Sequence, residues 1–326
     1  MSKILIKDAK LVNEQEILER DVLLNGTYIE RIDPLISDEN AAVINIEGSY
    51  LLPGIIDDQV HFREPGLTHK GTIATESRAA LAGGITSFME QPNTKPQTTT
   101  IEALEAKFQR AKATAFANYS FLFGGTNTNL EELKRLDKLA CSGVKLFLGS
   151  STGNMLVDDE LVLEEIFKNT DMVISAHCED EATIRKNLSE YMDRYGDDIP
   201  MEYHPLIRSS EACYLSSSKA IALAQRTGAR LHVFHVSTAA ETALFTNEIP
   251  LSEKKITAEV CIHHLTFTDE DYARSGSRIK WNPAVKLASD KEALWEALKD
   301  DRFDIVATDH APHTLEEKQQ PYVKAP

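Results

Sequence analysis

The sequence predicts an α/β protein: a (β/α)8 barrel of the TIM type, preceded by a small β-sandwich segment. Two observations carry this reading. From residue 51 onward, eight apolar bursts alternate with helix-like stretches, and near-continuous apolar runs are what parallel strands buried on both faces require. Nearly every burst also begins apolar and finishes on residues capable of chemistry: His61 and Arg63, Asn93, Lys145, His177, His235, His263 with His264, and Asp309. Barrel sites assemble from the C-terminal ends of several strands, whereas scattered core histidines would not gather at one end.

The elements follow in order. Residues 1–50 hold short alternating runs (ILIKDAKLV, DVLLNG, YIERI, AVINIEG) split by turn residues, the pattern of small antiparallel strands in a β-sandwich segment. Residues 51–326 form the barrel, ending after its eighth strand. Its bursts are LLPGIIDDQVHF, GITSFMEQP, ANYSFLFGG, GVKLFLGSS, MVISAHC, RLHVFHVST, KITAEVCIHH and FDIVATDHAPH. Helical stretches between them include TIEALEAKFQRAKATA, NLEELKRLDKLA, VDDELVLEEIFKN, SSEACYLSSSKAIALAQRTG and DKEALWEALKD.

The 326 residues, 42% hydrophobic, can bury a large core. A net charge of −16 and a pI near 5.1 argue against nucleic-acid and anionic-membrane partners, which select basic patches. No apolar run approaches the roughly 18 residues of a membrane span, and charges interrupt the apolar N-terminus, so it is no signal peptide. Cys141, Cys178, Cys213 and Cys261 lie far apart with no CxxC pairing, which reads as free thiols in a reducing cytoplasm.

Taken singly, the candidates have plain explanations. His177 and His235 could be hydrogen-bonded core histidines, Asp309 a helix cap, Arg63 a surface ion pair, and Asn93 a turn residue beside Pro92. Lys145, among apolar neighbours, either snorkels to solvent or is neutralised and used chemically, since a bare buried ammonium is costly. Taken together they point into one barrel mouth. Imidazole and carboxylate are good ligands for zinc-like divalent ions. An ammonium has no lone pair, but a lysine amine that has reacted with carbon dioxide is an anionic carbamate able to bridge two metals. A two-metal centre activates water and polarises a carbonyl.

The motifs GIIDDQVHFREPG, EQPNT, VKLFLGSS, AHCE, HVST, WNPAVK and TDHAPHTLEEK occur in the order found in cyclic-amide amidohydrolases. From about residue 3 to its end the chain resembles, within that superfamily, the dihydroorotases of the longer-chain, hydantoinase-like branch. The resemblance implies that His61, carboxylated Lys145, His177, His235 and Asp309 hold one or two zinc ions, with Asp309 also the general base. It implies that Arg63, Asn93 and His313 hold the substrate carboxylate, that His61 also borders the substrate, and that Asn282 contacts the pyrimidine ring. The reaction implied is reversible, metal-dependent closure of N-carbamoyl-L-aspartate to L-dihydroorotate, a step of pyrimidine synthesis, in a cytoplasmic enzyme. The partners are that small-molecule substrate and, potentially, further copies of the chain as a homo-oligomer.

Three departures from the family pattern stand out. Gln59 replaces the first His of HxH, so the more exposed metal is expected to bind less tightly or be absent. Lys286 stands where related sequences often carry Arg and is assigned no role. Family members also continue well past the final KQQPYVKAP, so the 326 residues read as a C-terminally truncated sequence. Such a polypeptide, with strand surface uncovered, is expected to be poorly soluble, and a sharp, cooperative melt would contradict that. Alternative readings are a sibling dihydropyrimidinase, hydantoinase or allantoinase, which would not need the Arg63, Asn93 and His313 trio. A further alternative is an inactive scaffold supporting a partner such as aspartate carbamoyltransferase. His69, His204 and His232 receive no role, and alternation places His232 on the strand face opposite His235. His263 and His264 end the seventh strand, where they could line the pocket, but core packing or hydrogen bonding to other groups is the stronger expectation.

Overall fold

A computed structural model describes residues 3–149 and 155–326. It comprises two units, one running through Ile55 and one from Ile56. The first is a five-stranded sheet of β1 (Lys3–Asn13), β2 (Glu16–Asn25), β3 (Tyr28–Asp33), β4 (Ala41–Asn45) and β5 (Tyr50–Leu51). A two-residue turn at Gly26-Thr27 sends β3 back along β2, and β1 to β3 are antiparallel as expected. The expectation fails for β4 and β5, which both pair with β1 in parallel. Residues 34–40 are not a hairpin turn: they carry the chain past β2 to the far edge of β1, where it arrives in β1's own direction. Leu5, Leu23 and Ile36 fill the core of this unit.

The second unit is the expected barrel. Its strands are β6 (Ile55–Val60), β7 (Ile85–Glu90), β8 (Asn118–Gly124), β9 (Gly143–Phe147), β10 (Val173–His177), β11 (Arg230–Val233), β12 (Ile256–Cys261) and β13 (Ile305–Ala307). Each lies beside the next in chain order, and helices fill most of the connections. The burst LLPGIIDDQVHF proves to be two strand pieces: Pro53-Gly54 separates β5, which pairs with β1, from β6 of the barrel sheet. KITAEVCIHH leaves the sheet at Cys261, so His263 and His264 sit in a short helix, Ile262–Thr266. NLEELKRLDKLA yields only one helical stretch, Leu130–Arg135. The last two residues of the motif VKLFLGSS lie outside the described residues.

Register fixes which side chains face inward. Lys145 pairs with Ser175, Ser175 with His232, and His232 with Thr257, one row across four strands. The alternating set, Val144, Leu146, Ile174, Ala176, Leu231, Val233, Ala258 and Val260, is buried in the main core. That is the doubly buried strand behind each continuous apolar burst.

The barrel closes differently from the way it is built. Between β13 and β6 there is one isolated bridge, Val60 to His310, with the His61 N–H donating to the His310 carbonyl at 2.7 Å. Side chains supplement it: Asp57 accepts from the Thr308 hydroxyl at 2.6 Å and from its N–H at 3.2 Å. On the outside near this seam, Ile56 and Val306 are exposed. Val60, Phe62, Ala79, Ala80, Phe267 and Trp281 help to line a groove of about 430 Å³.

Candidate metal centre and substrate pocket

The strand ends converge on a cavity of about 760 Å³ bordered by Gln59, His61, Arg63, Asn93, Lys145, His177, His235, Asn282, Asp309 and His313. Every residue expected at the site is therefore at one mouth. Three of them, Arg63 (φ 71°), His235 (φ 40°) and Asp309 (φ 47°), have left-handed backbones just past their strands. Non-glycine residues held there cost energy and cluster at functional sites. At Gly66 (φ 84°), closing HFREPG, an added Cβ would lie 2.0 Å from the Lys95 carbonyl oxygen, so glycine lets this loop seat against the PNT loop.

The donor set can be read atom by atom. His61 Nδ1–H donates to Asn93 Oδ1 at 2.8 Å, which leaves its Nε2 lone pair facing Asp309 Oδ1 at 3.1 Å. Burial holds the His61 pKa below its ordinary value, so two acceptors confront one another and call for a cation between them. His177 Nε2–H donates to Glu179 Oε2 at 2.8 Å, so its Nδ1 lone pair points toward His235 Nε2, 2.9 Å away. Burial lowers the pKa of both rings, and the buried His235 Nδ1 has no partner among the described residues. Lys145 lies over the rings of Phe234 (4.0 Å) and Phe147 (4.8 Å), and burial pushes its pKa down to about 7. Burial alone would raise the pKa of Asp309, but the close approach of His61 and the neighbouring positive charges lower it, so it is ionised at neutral pH. Neutral imidazoles with free lone pairs, a carboxylate and a half-neutral lysine amine fit a divalent metal. Gln59 is buried and reaches the cavity, but its Oε1 already accepts from the Cys261 thiol at 3.5 Å.

The anion-binding side is equally defined. Arg63 donates from Nε to the Pro312 carbonyl at 3.0 Å and from Nη2 to His313 Nε2 at 2.9 Å, which fixes the guanidinium and leaves its Nη1 edge for a ligand. His313 then carries its proton on Nδ1, toward Glu317 Oε2 at 3.3 Å. Burial, with Arg63 and Lys70 nearby, pushes its pKa down to about 3.

The Dihydro-orotase-like family model matches residues 48–241. The chain is also 34% identical over 330 residues to a protein named dihydroorotase from Staphylococcus epidermidis, covering 99% of this chain and 75% of the relative. The chain belongs to the dihydroorotase-like family. A dihydroorotase of Anoxybacillus flavithermus is 33% identical, with 99% of this chain and 74% of the relative covered. Among solved structures, L-hydantoinase (dihydropyrimidinase) from Arthrobacter aurescens superposes with a TM-score of 0.91 at 27% identity, over 98% of this chain and 71% of that one. Dihydropyrimidinase from Brevibacillus agri gives 0.89 at 25% identity, over 99% and 73%. The dihydroorotase-like barrel is that of a metal-dependent amidohydrolase family.

Several supporting residues in this dihydroorotase-like chain were not marked by sequence reasoning. Glu179 fixes the His177 tautomer and is itself gripped by Arg208, through Nε at 3.0 Å and through a shorter Nη2 contact. Arg208, with the His177 hydrogen bond, holds the Glu179 pKa far below the carboxylate range despite burial. Glu179 lies two residues beyond His177, a spacing that could have flagged it; Arg208, 29 residues away, carries no local signal. Lys107 pairs with Glu90 in the interior and donates to the Gln91 carbonyl at 2.9 Å, bracing the loop that carries Asn93. Lys286 is buried, donating to Ser237 Oγ and the Ala284 carbonyl, both at 3.0 Å. His204 is a core residue between the Tyr322 hydroxyl and the Trp281 carbonyl. His69 pairs with Glu317, and His263 stacks on Trp281 at 4.4 Å.

Glu179→Gln keeps the shape but weakens the acceptor that sets the His177 tautomer. Metal affinity should fall about 10–100-fold, the usual cost of losing a carboxylate behind a ligating histidine. Competition against a chelator measures it, and unchanged affinity would remove Glu179 from this role.

Proposed function

We propose that the protein is a dihydroorotase, a hydrolase of cyclic amide C–N bonds that interconverts L-dihydroorotate and N-carbamoyl-L-aspartate in pyrimidine synthesis. The observation that carries the reading is the fixed Arg63 guanidinium in the same mouth as the convergent His61, Lys145, His177, His235 and Asp309. A guanidinium edge suits a carboxylate, and dihydroorotate is a cyclic amide bearing one. The names of the relatives agree with this assignment.

His61, Lys145, His177, His235 and Asp309 would hold the metal, one or two zinc ions, which when bound supplies Lewis acidity and water activation. The protein's own groups do the rest. Arg63, with Asn93 and His313 beside it, anchors the ring carboxylate, and Asn282 contacts the ring. Asp309, ionised at neutral pH, takes the proton from the attacking water and delivers it to the ring nitrogen as the C–N bond breaks; the reverse order closes the ring. The low pKa of His313 keeps it neutral, as an acceptor that aims Arg63. No helix among the described residues is long and apolar enough to cross a membrane, and the four cysteines are free thiols. Both fit a cytoplasmic enzyme, and a homo-oligomer is compatible with the reading.

Comparing turnover of dihydroorotate, hydantoin and allantoin tests the assignment: dihydroorotate should be preferred, and preference for a neutral ring would overturn it.

Lys145 adds a pH dependence. Its neutral amine attacks carbon dioxide, forming the N–C bond of a carbamate and releasing a proton. With a pKa near 7 the reactive fraction rises as pH increases through neutrality. Reconstitution of metal-stripped protein should therefore be slow at pH 6, fast at pH 8, and dependent on added bicarbonate. Equal rates without bicarbonate would show that Lys145 is not carboxylated.

A further inference from the structure

His232 contradicts the expectation from alternation. Its row, shared with Lys145, faces the barrel interior, whereas His235 lies beyond the end of β11 and turns back inward through its left-handed backbone. Both therefore point inward. His232 Nε2 lies 3.3 Å from Glu259 Oε2 and 3.4 Å from Asp58 Oδ2. These residues come from β11, β12 and β6; β13 separates β6 from β12, so the three side chains meet across the interior. On its other side the ring has Thr257 Oγ1 at 2.8 Å from Nδ1.

We propose that Asp58, His232 and Glu259 form a divalent-cation site of the zinc type inside the barrel, separate from the ligands at the mouth. With Nδ1 engaged by Thr257 Oγ1, Nε2 is the nitrogen that faces the two carboxylate oxygens. All three ligand atoms lie within 4.8 Å of one another. A direct charge-assisted N–H···O bond would be about 2.7–2.9 Å, shorter than either separation. Two ligands on a tetrahedral ion with bonds of about 2.0–2.2 Å stand about 3.3–3.6 Å apart, which matches both. Asp58 Oδ1 is a second sign: it is buried and has no partner among the described residues. Without a cation the two carboxylates raise the His232 pKa to about 9 against the opposing effect of burial, so a metal ion would take the place of the Nε2 proton.

The ion would also reach the mouth. Glu259 faces this cluster through Oε2, while its Oε1 accepts the His235 N–H at 3.1 Å. A cation on Oε2 would fix that carboxylate and so the left-handed backbone of His235.

The full chain, stripped of metal and reloaded with zinc, tests this by stoichiometry. Lys145→Ala empties the mouth and should retain one equivalent through dialysis; Asp58→Asn in the same background should retain none. Equal retention in the two proteins overturns the proposal. Anomalous diffraction from zinc-soaked, unsubstituted crystals needs no variant to fold. A peak within bonding distance of His232 Nε2 supports the site, and its absence at saturating zinc overturns it. A missing peak beside His177 and His235 would count against the proposed mouth centre alone, so the two failures are distinguishable.

Discussion

Asp309→Asn should lower kcat about 1,000-fold or more in both directions while leaving the thermal transition of the metal-free protein nearly unchanged. The substitution preserves size and removes the negative charge. A positioned general acid–base group contributes about 10²–10⁴-fold, and the amide also withdraws the anion that faces His61 Nε2 at 3.1 Å. Both losses act on the chemical step. Asp309 makes no other ion pair or hydrogen bond through its side chain among the described residues, so the fold has little to lose. Steady-state kinetics with metal content measured on the same sample checks this. Turnover within tenfold of the unsubstituted protein would remove Asp309 from the role of base.

Arg63→Ala should act on a different constant. The guanidinium is tethered by Pro312 and His313 and offers its remaining edge to the cavity. Truncating one partner of a buried, hydrogen-bonded charge pair costs about 2–5 kcal/mol. KM for dihydroorotate should rise at least about 30-fold, with a smaller change in kcat. Hydantoin has no carboxylate and should keep its own KM within a few-fold. A parallel loss for both substrates would mean that Arg63 supports the mouth generally rather than recognising an anion.

The sequence revealed the site more fully than the frame that carries it. Most strand ends could be read because apolar runs stop where chemistry begins, and Lys145, His177 and Asp309, within two residues of those ends, all border the cavity. What stayed hidden depends on the path of the chain. Nothing local in AVINIEG distinguishes a strand that pairs in parallel from one that turns back, so the antiparallel expectation fails at β4. Alternation failed at His235 because a single left-handed residue reverses the side-chain direction, and no residue type there announces it. Arg208 and Lys107 act on ligand-bearing elements from distant helices or loops, and only folding brings them there.

The seam between β6 and β13 has a consequence for how the protein holds its ligands. The other strand junctions are ladders, but here one bridge and a few side chains join the first strand to the last. His61 follows one edge of that seam and Asp309 the other, so a cation gripped by both would stitch the barrel shut. Binding energy would then appear as resistance of the seam to opening, since whatever binds only the closed state stabilises it. Amide hydrogens flanking Val60 and His310 should thus be the fastest-exchanging part of the sheet in metal-free protein, and the most strongly slowed when metal is restored.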